Sequence, residues 1–298
     1  MGTKLKLATV LLAIFIFISC ANQKTDSDPV VEVVARDFNF IVQDSLPSGW
    51  NKLHFKNSGH AEHFFFLNLL PDSISYEQYQ SEVVRPFELV FDSIKAGMPK
   101  DKAFELLGSS IPGWYFTEVR PMGGTGILSM GKESDIWLNL DPGTYAMECY
   151  IKEQGVFHTT LGMIKEITVT SDSSTVEPPE SNVKMILTNF EFAVEGDVKR
   201  GRNIFEVVIN EHPQFGLGND VHIVKLDANS DLDDIAYWMD WSNVEGLQSP
   251  APAKFFGGIQ EMAIGQKGYF AADLEPGEYA WISEGSATRG MIRKFTVK

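Results

Sequence analysis

Leu140-Asp-Pro-Gly-Thr-Tyr145 decides the fold, because a close copy, Leu274-Glu-Pro-Gly-Glu-Tyr279, lies 134 residues further along the chain. The same offset maps the glycine pair 123–124 onto the pair 257–258. Upstream, a strand-like run ending in Phe-Asn-Phe at 38–40 matches one ending in Phe-Glu-Phe at 190–192. So many shared features in the same order indicate a tandem duplication of one structural unit.

The duplication sets the expected domain organisation of the 298 residues. The stretch 171–182 is polar and contains two prolines, a composition typical of a linker that buries nothing. The expected divisions are a signal peptide (1–19), a tether (20–29), a first domain (30–170), the linker (171–182) and a second domain (183–298).

Most apolar runs in both units are short, alternate with polar residues and end at Gly, Pro, Asn or Asp, which predicts an all-β chain of two sandwiches. Helical spacing interrupts this pattern once in each unit. It predicts helices over Ser75–Ala96 and Asp101–Leu107, with Pro99 placed to start the latter, and over Leu232–Trp241. We expect these segments to be helical insertions between strands.

Composition excludes several classes of function. The chain has 25 Lys+Arg against 40 Asp+Glu, a net charge of −15, so binding to nucleic acid is not expected. Its 2 cysteines cannot form a disulfide framework or a four-cysteine zinc site. The sequence also lacks Gly-x-Ser-x-Gly, His-Glu-x-x-His, Cys-x-x-Cys and phosphate-loop motifs.

The N-terminus has the features of an export signal. Lys4 and Lys6 precede an apolar run that ends at Ser19-Cys20. This segment resembles a bacterial lipobox, although Phe17 stands where Leu is usual. The resemblance implies cleavage before Cys20, lipidation of its sulfur and a place in the cell envelope. The alternative is an ordinary signal peptide with a coincidental cysteine.

The informative chemistry lies between Tyr145 and Met163. Cys149 ends one strand-like run, His158 follows across a loop, and Met163 comes shortly before the next run. Thiolate, imidazole and a weak thioether are the donors that copper prefers for electron transfer. A second imidazole would complete the set, and Asn57-Ser-Gly-His-Ala-Glu-His63 offers one at a strand end.

These motifs resemble the cupredoxin, or blue-copper, family over about residues 30–170. The resemblance implies tandem Greek-key cupredoxin-like sandwiches, one copper ion in the first domain, and electron transfer without enzymatic activity. The ligands it implies are His63, Cys149, His158 and Met163.

Two departures accompany this resemblance. His60 lies close to His63, so the sequence leaves both open as the ligand, although counting from Asn57 favours His63. Phe64 stands where many relatives have a polar residue that fixes the site by hydrogen bonds.

The second unit serves as an internal comparison. The alignment places Ser283 opposite Cys149 and Ser286 opposite His158, retains Met291, and allows His222 to stand opposite His63. We therefore expect the second domain to have the fold without the metal, and to act as a structural element or a partner surface.

Two other functions stay open at this point. The chain could bind or deliver copper without transferring electrons, or it could be a metal-free interaction module. For the electron-transfer hypothesis, the acidic composition predicts a basic redox partner, and lipid on Cys20 predicts contact with a membrane.

Overall fold

The computed structural model describes Gly2, residues 29–214 and residues 217–298. The expected signal peptide (1–19), with Cys20 and the tether up to residue 28, lies outside these residues. Among the described residues, no helix combines the length and apolarity needed to cross a bilayer. The chain folds mainly as β-structure in two sandwiches, as the alternating sequence predicts.

The first sandwich has two main sheets. One has the order β2-β1-β3-β6 and the other β10-β7-β4-β5. The start of β3 also pairs in parallel with β10, so this long strand belongs to both sheets. The strands are β1 (Val30–Arg36), β2 (Asn39–Ile41), β3 (Ser45–Asn57), β4 (Phe66–Leu69), β5 (Arg120–Gly124), β6 (Glu133–Leu140), β7 (Gly143–Glu148), β8 (Lys152–Glu153), β9 (Val156–Phe157) and β10 (Ile164–Ser173).

The second sandwich repeats these pairings. β11 runs antiparallel to β12 and parallel to β13, just as β1 runs antiparallel to β2 and parallel to β3. Its other sheet has the order β15-β14-β17-β18, the counterpart of β5-β4-β7-β10. The strands are β11 (Val183–Thr188), β12 (Glu191–Gly196), β13 (Gly201–Ile209), β14 (Val221–Leu226), β15 (Lys254–Ile259), β16 (Lys267–Leu274), β17 (Gly277–Ile282) and β18 (Ile292–Val297).

Side chains alternate between core and solvent along these strands. In β1, Val31, Val33 and Ala35 are buried while their neighbours are more exposed. In β11, Val183, Met185 and Leu187 do the same. This period of two is the pattern that predicts a half-buried strand, and it fixes the register because a one-residue slip would expose the apolar set.

Helices occur where helical spacing predicts them, between β4 and β5 and between β14 and β15. The first insertion is more broken than expected, since a π-helical turn over Gln80–Val84 interrupts it. Pro99 immediately precedes its second long helix, as predicted. The helices are α1 (Tyr76–Tyr79), α2 (Arg85–Lys95), α3 (Lys100–Ser110), α4 (Gly113–Thr117) and α5 (Leu232–Met239), with a 3₁₀ turn at Ala287–Arg289.

The two sandwiches share one core. β6 pairs with β16 through Trp137 and Tyr269, so one sheet continues across both halves. The stretch 171–182 differs from the linker predicted to bury nothing. β10 continues to Ser173, and Val176 is buried against Trp137 and Tyr269. Val176 therefore adds apolar contact to this junction, whatever the polarity of its neighbours.

Lys152 joins the two halves beneath the helical insertion. Its side chain is fully buried, and its Nζ donates to the carbonyls of Trp241, Asn243 and Gly246 at 2.6, 2.5 and 2.8 Å. The ammonium also lies over the ring of Phe157, 5.0 Å from the centroid. Three buried carbonyls of the second half therefore receive hydrogen bonds from one lysine of the first half.

Lys152→Met should destabilise the protein by about 3 kcal/mol, because it leaves three buried carbonyls without their donor. Chemical denaturation measures this change. The matched control is Lys100→Met, whose exposed ammonium contacts the same loop at Asn243 Oδ1. It should cost less than about 1 kcal/mol. Equal losses in the two variants would contradict the role given to Lys152.

Candidate metal centre

Three predicted ligand side chains meet in the first sandwich. The Sγ atom of Cys149 lies 3.9 Å from Nδ1 of His63 and 3.7 Å from Nδ1 of His158. The two imidazole rings are 4.9 Å apart between centroids. All three residues are buried. Residues 86 and 9 positions away from the cysteine are thus brought to one point.

Backbone hydrogen bonds position the two ligands of the 149–163 loop. Cys149 directly follows β7, and its amide donates to the carbonyl of Met163 at 3.1 Å. The amide of Met163 donates to the carbonyl of His158 at 2.8 Å. Met163 is buried and thereby ties both ligands to the start of β10.

Asn57 positions the third ligand. It ends β3, and its side-chain Nδ2 donates to the carbonyls of Ala61 and Leu128 at 2.8 Å each. His63 in turn forms an antiparallel bridge with Leu128. The buried hydrogen bonds of Asn57 therefore hold the loop between Asn57 and His63 in a position where His63 faces Cys149.

The structure places His63, and not His60, beside the cysteine. The His60 side chain is 55% exposed, and its Nε2 lies 3.1 Å from a carboxylate oxygen of Glu153. His63 is 1% exposed and faces Sγ. Of the two histidines that the sequence left open, only His63 belongs to the cluster of described residues.

Burial sets the charge states of the centre. It lowers the pKa of His63 to about 4 and that of His158 to about 3, so both imidazoles are neutral near neutral pH. Burial also raises the pKa of the Cys149 thiol to about 12. Backbone hydrogen bonds from Phe64 and Ile151 to the sulfur act in the opposite direction. A metal cation would displace the thiol proton and bind the resulting thiolate.

The donor spacing fits a single metal ion, and the donor types suit copper. Metal–nitrogen bonds of about 2.0 Å and metal–sulfur bonds of about 2.3 Å, meeting at a trigonal angle, separate N from S by about 3.7 Å. The observed separations are 3.9 and 3.7 Å. The donor set of two imidazoles and a thiolate is the one found in blue-copper sites. Both Nε2 atoms are buried without a hydrogen-bond partner among the described residues, so no competing polar contact orients either ring.

Two phenylalanines enclose the centre. Phe38 packs against His158, with ring centroids 4.8 Å apart, from a turn in which its φ is 61°. Sequence reasoning assigned Phe38 no role, although Phe190 recurs in the second half with φ 64°. Phe64 is buried against Tyr150, and its backbone amide donates to the sulfur, which its apolar side chain could not predict.

The second half lacks the predicted ligands but has an equivalent loop. The amide of Ser283 donates to the Met291 carbonyl, and that of Met291 donates to the Ser286 carbonyl. These bonds repeat those of Cys149, Met163 and His158. Ser283 and Ser286 therefore occupy the two ligand positions, where neither can provide a thiolate or an imidazole.

The expected place of His222 was wrong. His222 pairs with Gly258, as Phe66 pairs with Gly124, so His222 corresponds to Phe66. Its ring is also engaged: Nδ1 accepts from the amide of Ile127 at 3.0 Å, so Nε2 carries the proton and donates to Asp220 at 3.0 Å. The same alignment places Asn219 opposite His63. Although Asp220, His222 and Glu284 lie close together, this tautomer leaves no imidazole lone pair for a metal.

The second half supports the ligand loop directly, a contact with no sequence signal. The amide of Lys152 donates to the carbonyl of Leu247, and the amide of Ser249 donates back to Lys152. Ser249 Oγ also donates to the carboxylate of Glu62, next to His63, at 2.7 Å. One loop of the second half thus contacts the segments that carry all three clustered ligands.

Comparisons with known proteins give a fold likeness only. Neither the family models nor the curated proteins contain a match. Among solved structures, the chain resembles a dithionite-reduced auracyanin from Roseiflexus castenholzii, with 19% identity over 47% of this chain and 96% of that one (TM-score 0.28). It also resembles the azurin Az-iso2 from Methylomonas sp. strain J, with 15% identity over 47% and 95% (TM-score 0.27).

A multicopper oxidase structure matches across both halves, with 13% identity over 90% of this chain and 88% of that one (TM-score 0.24). At these identities and TM-scores we take no function from the likeness. The strand order and strand pairing define two cupredoxin-like sandwiches, and the first of them holds a buried His–Cys–His cluster.

Gly59→Ala should weaken copper binding at least tenfold. A Cβ at this position would lie 2.5 Å from Nε2 of His63, so the ring would have to move. Competition with a Cu(I) chelator measures the affinity. Gly113→Ala is the matched control, since its Cβ would meet nothing within 4 Å. Unchanged affinity in Gly59→Ala would show that His63 does not bind the metal.

Proposed function

We propose that the first domain binds one copper ion as a type 1 centre and transfers single electrons. The observation that carries this proposal is the convergence of Nδ1 of His63, Nδ1 of His158 and Sγ of Cys149 at distances suited to one shared ion. When bound there, copper would supply one-electron chemistry by cycling between Cu(I) and Cu(II).

Each residue has a distinct role in this proposal. His63, His158 and Cys149 would hold the ion through two imidazoles and a thiolate, and Met163 would add a weak thioether donor. Phe38 covers His158 and keeps water from the ring. Since the ligands are held by backbone hydrogen bonds and close packing, both oxidation states would meet nearly the same donor positions.

Burial favours electron transfer over copper delivery. A delivery site must exchange ligands with a partner, whereas His63, Cys149 and His158 are at most 1% exposed. A metal-free module does not explain a buried thiol placed between two neutral imidazoles. These observations support the electron carrier as the first hypothesis.

The other histidines do not support a second copper centre or multicopper catalysis. Each contacts a partner within the described part of the chain. His54 binds Asp135, His60 binds Glu153, His212 binds the Met262 carbonyl and the Asn219 amide, and His222 binds Asp220. We therefore propose a carrier and not an enzyme.

The N-terminal sequence completes the proposal. Lipid on Cys20 would hold the protein at a membrane of the cell envelope, with the sandwiches on a polar tether. The net charge of −15 would favour a basic redox partner through electrostatic steering.

The copper-loaded protein without residues 1–20 should show an intense visible thiolate-to-copper band. Cys149→Ser should abolish that band because the thiolate is its source, and Ser283→Cys in the second half is the matched control that should leave it in place. A colourless Cu(II) protein, or tight Cu(I) binding with no stable Cu(II) form, would contradict electron transfer and favour delivery.

Cys20→Ser in the full chain should move the protein from the membrane fraction to the soluble fraction when it is expressed in a bacterium, because no acyl chain can be attached. Fractionation with mass spectrometry of the N-terminus measures this. Ser19→Ala, which keeps a small residue before the cysteine, is the control. An unmodified Cys20 in the wild type would exclude the lipid anchor.

A further inference from the structure

A cavity of about 380 Å³ lies between the helical insertion of the first half and the loops of the second. This volume is in the range of small-molecule sites. Its walls are strongly aromatic. Eight rings line it: Phe66, Tyr79, Phe87, Tyr115, Phe116, Tyr150, Phe157 and Trp241.

The polar groups of this cavity are acidic. Glu148, Asp220 and Glu261 line it, and no Lys or Arg is among the described lining residues. Asn68 and Tyr79 both bind Oε1 of Glu148, which leaves Oε2 without a hydrogen bond from a described residue.

The hydrogen-bond partners of the other two carboxylates, Glu261 and Asp220, also include no lysine or arginine among the described residues. Glu261 Oε2 accepts from the amide of Gly218 at 2.9 Å, and His212 lies 3.9 Å from Oε1. Nε2 of His212 donates to the Met262 carbonyl instead. Asp220 accepts from His222 and from a backbone amide. Thus no Lys or Arg of the described residues pairs with any of the three carboxylates.

Two of the carboxylates affect the same tyrosine in the cavity wall. Burial and the charges of Glu148 and Glu261 raise the pKa of Tyr115, which also lines the cavity. Burial raises the pKa of Glu261 to about 7. A positive charge in the cavity would favour the ionised carboxylates.

Gln260 gives an independent indication of a ligand. It lines the cavity, is 1% exposed, and its Nε2 has no hydrogen-bond partner among the described residues. A buried amide donor without an acceptor is costly, so this position suits a ligand that brings an acceptor.

We propose that this cavity binds a small organic cation, a protonated amine or quaternary ammonium, with its charge facing Glu148 and Glu261 and enclosed by the aromatic walls. Aromatic faces attract cations, and carboxylates add charge complementarity. An aromatic ring on the ligand would pack against Phe87 and Trp241. A hydrogen-bond acceptor on the ligand would accept from the Gln260 side chain.

The cavity is separate from the metal centre but adjoins it. Glu148 and Tyr150 flank Cys149, while Phe157 and Thr159 flank His158. Cys149 directly follows Glu148 at the end of β7, and alternation along an extended strand points these two side chains to opposite sides. Cation binding therefore requires no copper, and its failure would leave the copper proposal untouched.

Isothermal titration calorimetry of the metal-free chain without residues 1–20 tests this site, with 4-methoxyphenethylammonium chloride as the probe, whose ether oxygen can accept from Gln260, and 2-(4-methoxyphenyl)ethanol as the neutral analogue with the same ring and ether. We expect the cation to bind at least tenfold more tightly than the alcohol. Equal affinities, or no heat from either compound, would overturn the proposal.

Two variants locate the binding. Glu261→Gln should weaken the binding of the methoxyphenethylammonium cation about tenfold by removing one charge. Phe87→Leu should weaken it about fivefold by removing a ring while keeping apolar volume. Glu191→Gln, on an exposed position of β12, is the matched control and should bind as the wild type does. Wild-type affinity in both cavity variants would place the cation elsewhere and contradict the proposal.

Discussion

The candidate metal centre depends on the contact of Lys152 with the second half. The ligand loop leaves β7 at Cys149 and must return to place His158 beside it, yet its own hairpin, β8 and β9, has only two residues in each strand. Such a short hairpin is not stable alone. Three carbonyls of the second half bind the Lys152 ammonium, and its backbone pairs with the loop at 247–249. The geometry of the first-half centre is therefore set by both halves.

This dependence gives the second half a structural role. It lacks the ligands, yet it shares the core, continues one sheet through Tyr269 and contacts the ligand loop. A second domain that only presented a surface would not need these contacts. Its fold is retained because the first half packs against it, and this constraint acts on its core and loops rather than on the three lost ligand positions.

Local sequence patterns predicted the strands and the three side chains that cluster, His63, Cys149 and His158, but not the contacts between the halves. Alternation of apolar and polar residues in β1 and β11 predicted the sandwich strands, since a half-buried strand has a period of two. The ligand types in one order identified Cys149 and its partners. The burial of Val176 and the hydrogen bonds from Lys152 to three carbonyls leave no periodic pattern in the local sequence, because they depend on packing between distant segments. His222 was misplaced for a similar reason, since only strand pairing fixed the register of β14.

The serines of the second half show which features of the candidate metal centre come from the backbone and which come from the side chains. Ser283 and Ser286 keep the backbone bonds of Cys149 and His158, and both hydroxyls are buried without a partner among the described residues. The same backbone hydrogen bonds therefore occur with and without the ligand side chains. The spacing of the first-half side chains rests on this backbone arrangement together with the contacts from the second half. What distinguishes the halves is chemical: a thiol and two imidazoles in one, hydroxyls and an amide in the other.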